Sequence, residues 1–89
     1  AMNANTMARR LESAVRDVPG VRIIQPVAAN EIFAALPHDA IAPLMAEFDF
    51  YIWDERADEV RWVTSWDTTA GDVDRFADGI ARACAAARR

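Results

Sequence analysis

The chain has 89 residues, a single cysteine and a formal net charge of −4. That length suits one domain, residues 1–89, able to bury about 60–65% of the surface its unfolded form exposes; a hydrophobic content of 53%, with three tryptophans, argues against disorder. The acidic balance excludes nucleic acid and anionic membrane surfaces as expected partners, because both are bound through basic excess.

All ten of the Lys+Arg positions are arginine. A side-chain Schiff base to pyridoxal phosphate or to a carbonyl substrate, and a phosphate-loop lysine, are therefore excluded from this chain. Arginine offers instead a planar fork for a carboxylate or phosphate. The lone Cys84 cannot form an internal disulfide, which fits a reducing cytoplasm. The longest apolar runs fall short of the roughly 18 residues of a membrane span, and no leader opens the chain, so the expectation is a soluble, cytoplasmic protein.

From Ala1 to about Val18, the residues Met7, Leu11, Ala14, Val15 and Val18 recur at helical spacing, and Pro19-Gly20 ends the run. This first helix opens without a convincing cap, as in a domain cut from a larger chain. Val21–Gln25 and Glu31–Leu36 are β-rich runs flanking a turn at Pro26–Asn30, and are expected to pair antiparallel. Asp39 is expected to cap a second helix over about Ala40–Glu47, with a stripe of Ile41, Leu44, Met45 and Phe48, and Pro43 in or just beyond its first turn. Phe50–Trp53 and Val60–Ser65 then form a hairpin around the charged loop Asp54–Asp58. Alternation puts Val60, Trp62 and Thr64 on one face and Arg61, Val63 and Ser65 on the other, which fixes a cation in mid-strand. Thr69 with Asp72 has the spacing of a capping box for a last helix, whose face is Val73, Phe76, Ala77, Ile80, Cys84 and Ala87. The order α-β-β-α-β-β-α predicts an α+β two-layer sandwich, a mainly antiparallel sheet covered by helices.

Few side chains point to chemistry. His38 is a lone histidine without a neighbouring ligand, Cys84 lies on an apolar stripe, and Asp54, Glu55, Asp58 and Glu59 lack the spacing of a calcium loop. No catalytic residue and no metal site is expected. Tyr51, Trp53, Trp62 and Trp66 read as core, yet four aromatics on one hairpin exceed what a small sheet can bury on one side, leaving part of the set for a partner. On the residues alone, Arg61 either pairs across the hairpin with Asp54 or Glu55 or meets a ligand.

FYIWDERADEVRWVTSWDTTAGDVDRF, with PGVRIIQPVAANEIFAALP and NANTMARRL upstream, resembles the C-terminal small domain of the low-specificity threonine aldolases, pyridoxal-phosphate enzymes of the β-eliminating lyase group in fold type I. The most specific pieces are VRWVTSWDTT with Asp72-Val73, and the strand start Ala29-Asn30-Glu31-Ile32-Phe33; the likeness covers essentially the whole chain but only the smaller part of a family member. It implies a parent that cleaves β-hydroxy-α-amino acids such as threonine to glycine and an aldehyde, with Arg61 binding the substrate carboxylate. It also implies that the cofactor is held by a large domain, the partner of this one, so that the chain by itself binds no pyridoxal phosphate and is not catalytic. The competing expectation is a free-standing interaction or amino-acid-sensing module that dimerises through an exposed apolar face.

Overall fold

The computed structural model describes residues 2–27 and 29–88. The elements, in chain order, are α1 (Met2–Val15), β1 (Arg22–Ile23), β2 (Glu31–Ala35), α2 (His38–Glu47), β3 (Tyr51–Asp54), β4 (Glu59–Val63) and α3 (Ala70–Ala87). They form an α+β fold in which three helices cover one face of a four-stranded antiparallel sheet of order β1-β2-β4-β3. β2 and β4, far apart in sequence, are the central pair. β1 and β3 are the edges.

Strand alternation sorts the two faces. Ile32 and Ala34 of β2, with Val60, Trp62 and Thr64 on and after β4, are buried beneath the helices, while Arg61, Val63 and Ser65 point the other way. The helices close this core with Ala4, Ala8, Leu11 and Val15, with Ala40, Ile41 and Leu44, and with Val73, Ile80 and Cys84. Half of the seam on α1 is thus alanine, and the expected Ala14 is exposed, as is Met45 on α2. Small side chains let α1 lie close to the sheet. Thr64 ties the layers by donating to the carbonyl of Ala4 at 2.6 Å.

α1 stops at Val15, three residues before the expected Val18, because a helical Pro19 would set its ring against the Val15 carbonyl. That carbonyl accepts instead from Val18 N at 3.0 Å, and Gly20 leaves at φ 97°. β1 is shorter than the expected Val21–Gln25, extended only by a bond from Ile24 N to Phe33 O. Asp39 does not cap α2: the helix begins at His38 behind Pro37, no side chain caps it, and Asp39 lies in its first turn. Pro43 sits in the second turn of an unbroken helix. The Thr69–Asp72 capping box is fully formed, with Thr69 Oγ1 accepting from Asp72 N and Asp72 Oδ2 accepting from Thr69 N, both at 3.0 Å. These bonds hold the Asp72 carboxyl below the usual carboxylate range.

Candidate functional site

The face of the sheet turned away from the helices carries Glu31 and Phe33 on β2, Arg61 and Val63 on β4, and Tyr51 and Trp53 on β3. Arg61 lies at its centre, opposite Phe33 on one side and Tyr51 on the other. Its guanidinium carbon stands 5.5 Å from the Tyr51 ring centre and 5.9 Å from that of Trp53, within cation–π range. Phe33 meets Trp53 edge-on at 5.0 Å, which braces the outer indole. The cation is therefore set in an aromatic frame.

Neither Asp54 nor Glu55 pairs with Arg61. Asp54 turns into the loop, where its Oδ1 accepts from the backbone of Arg56 and Ala57. The partner is Glu31, two positions along β2 from the residue directly opposite: Glu31 Oε1 accepts from Arg61 Nε at 2.8 Å and also from Nη2. Both side chains are about one-third exposed, at 30% for Arg61 and 35% for Glu31. An arginine has five donors. Glu31 occupies its Nε–Nη2 edge, and among the described residues nothing accepts from Nη1 and nothing besides Glu31 accepts from Nη2, so the hydrogens of the terminal edge have no partner. That edge has the geometry of a two-pronged grip for a carboxylate.

Of the four hairpin aromatics, only Trp62 belongs to the core, enclosed edge-on by Phe50 and Phe76. Tyr51, Trp53 and Trp66 are 60%, 59% and 78% exposed, so the part of the set left outside the core is three of the four, because β3 is an edge strand and Trp66 follows the end of β4. Ile52, also exposed, faces α2 across a groove with Ile41 and Met45. At one end of the groove His38 Nδ1 lies 2.8 Å from Asp58 Oδ1, so the histidine that stood alone in the sequence has a carboxylate partner. Hydrogen bonding to Asp58, assisted by its charge, raises the imidazole pKa. Cys84 is buried among apolar side chains, and desolvation pushes its thiol up. Among the described residues no group of three or more His, Cys, Asp or Glu side chains could hold a metal ion, and no helix is long and apolar enough to cross a membrane.

Sequence reasoning missed Glu31. The signal available was opposite charge on outward-facing positions of two strands, but it becomes a contact only once β2 is known to pair with β4 rather than with β1 alone.

No family model matches the chain. It is similar to the low specificity L-threonine aldolase of Pseudomonas aeruginosa, with 41% identity over 76 residues, covering 84% of this chain and 21% of that protein. The enzyme of the same name from Pseudomonas sp. is 35% identical over 81 residues, covering 90% of this chain and 23% of the relative. The solved threonine aldolase of Leishmania major matches in structure with a TM-score of 0.78 and 31% identity, over 90% of this chain and 24% of that one. The chain thus spans less than a quarter of the length of the relatives it matches.

Proposed function

We propose that this chain, similar over nearly all its length to one region of the low-specificity threonine aldolases, is the substrate-carboxylate-binding and packing domain of a pyridoxal-phosphate-dependent aldehyde-lyase. Such a parent would cleave β-hydroxy-α-amino acids such as threonine to glycine and an aldehyde. Arg61 takes the carboxylate on its terminal edge. The observation that carries this is the free Nη1–Nη2 edge, held between Tyr51 and Trp53 on the face without helices.

The physical role is orientation. A fork that grips both oxygens of an amino acid fixes the carboxylate about its bond to Cα, and the remaining substituents are then presented in one arrangement. The residues here do not fit the cofactor itself: its aldehyde needs a lysine amine, and all ten of the Lys+Arg positions are arginine. Bond cleavage belongs to the rest of the parent, whose large domain is the partner proposed for the exposed aromatic face. A reducing, cytoplasmic setting is part of the same proposal, supported by the buried free thiol of Cys84.

Replacing Arg61 with Lys in a parent enzyme that contains this segment keeps the charge and removes the fork. The Michaelis constant should rise about tenfold or more, since a charge-assisted pair contributes roughly 1.5–3 kcal/mol. An unchanged constant would return Arg61 to a purely structural pair with Glu31. The isolated chain, supplied with pyridoxal phosphate and threonine, should release no acetaldehyde. The second reading, a dimerising amino-acid-sensing module, draws on the exposed edge strand with Tyr51, Ile52 and Trp53. Sedimentation separates the two, because a stable two-fold dimer of the chain alone favours the module.

A further inference from the structure

We propose that Glu31 is the positioning residue of this site: by occupying the Nε–Nη2 edge of Arg61 it leaves one edge for an incoming carboxylate and fixes the direction of approach. The inference rests on the reading of Arg61 as a carboxylate grip, and deepens it.

A guanidinium on a flexible stem presents two edges that can each hold a carboxylate by parallel bonds, the side edge Nε–Nη2 and the terminal edge Nη1–Nη2. An unassisted arginine would use both and would sample several rotamers. Here Glu31 Oε1 straddles the side edge, at 2.8 Å from Nε. Tyr51 and Trp53 limit movement of the guanidinium toward β3. Glu31 is itself held, because its neighbour Asn30 is bonded three times to β4's exit: Asn30 Nδ2 donates to Thr64 O at 2.7 Å, and Asn30 O accepts from Thr64 N at 3.0 Å and from Thr64 Oγ1 at 3.3 Å. Ala29, at φ 56°, turns the chain into this clamp.

The acid also removes the net charge of the site. A bare cation collects any anion, whereas a neutral pair with one open fork selects by shape, favouring a planar anion with two oxygens over a spherical one. Glu31 thus reduces general attraction and confers orientation.

The test is nuclear magnetic resonance of the arginine side chains in the full chain, titrated with acetate, with chloride at equal ionic strength as the control. In the wild type, acetate should shift the Arg61 Nη resonances at least about threefold more than Nε, because the bidentate bond forms on the terminal edge alone. Chloride should shift neither. In Glu31→Gln, with an unchanged backbone amide spectrum, acetate should shift Nε and Nη comparably. Equal selectivity for Nη in wild type and Glu31→Gln would overturn the role of Glu31 while leaving the Arg61 reading intact. A response in Glu31→Gln alone would make Glu31 a plug instead, and would also overturn it. No response in either protein would overturn both. Should Glu31→Gln fail to fold, the wild type still decides, since movement of Nε as large as that of Nη would mean that acetate displaces Glu31.

Discussion

Replacing Gly79 with Ala should destabilise this chain, although in an open helix the same change stabilises. Gly79 lies in the middle of α3 where the helix crosses α2, and a methyl group there would stand 2.5 Å from Phe48 Cε2, 3.1 Å from its Cζ and 3.5 Å from Leu44 Cδ1. The ring has little room to retreat. It packs on Phe76 at 4.9 Å, and the Phe48 backbone is bonded to Leu44 O at 2.9 Å. Helix propensity favours alanine by about 0.5–1 kcal/mol, while overpacking a core costs about 1–3 kcal/mol. The net expectation is a loss of about 1 kcal/mol, which lowers the melting temperature of a domain this size by roughly 4–8 °C. Gly71→Ala is the control, since its methyl would meet Arg75 Nη1 at 3.6 Å and Thr69 Oγ1 at 3.7 Å, ordinary contacts. Thermal denaturation followed by circular dichroism measures both variants. If Gly79→Ala melts as high as Gly71→Ala, the close approach of α2 and α3 is wrong as described.

Two further outcomes follow from the caps and charges. Thr69→Ala removes the hydroxyl that accepts from Asp72 N and should cost about 1 kcal/mol, read from the same melts; an unchanged melting temperature would mean that the capping box contributes nothing. His38 should titrate above its ordinary value of 6.5, since Asp58 stabilises the imidazolium. A raised folded-state pKa means that the contribution is fully present below the ordinary value and is lost as pH rises through the folded one. Asp58→Asn should lower the titration midpoint measured by nuclear magnetic resonance at the ring protons; an identical midpoint in the two proteins would refute the pairing.

The features legible in the sequence are local. The order of seven elements, the alternation that buries Val60, Trp62 and Thr64, and the Thr69–Asp72 box follow from period and capping, each decided within a few residues. The amine chemistry open to the chain was likewise settled by composition. Asp39 lost its capping role locally, to a helix that starts at His38 behind Pro37, whereas which aromatics stay outside the core was decided by their places in the sheet and beyond its last strand.

Only the tertiary structure decided the company of Arg61. Alternation put the residue on a face, but a face has no register until strands pair, and the pairing that brings Glu31 beside it joins residues 30 positions apart. Separation along the chain likewise hid the partner of His38, 20 positions away, and the crowding of Gly79 by Phe48. Sequence determined which groups exist and, along β4, which face each takes; the association of β2 with β4 determined which of them meet, because burying both strands under the helices admits one register.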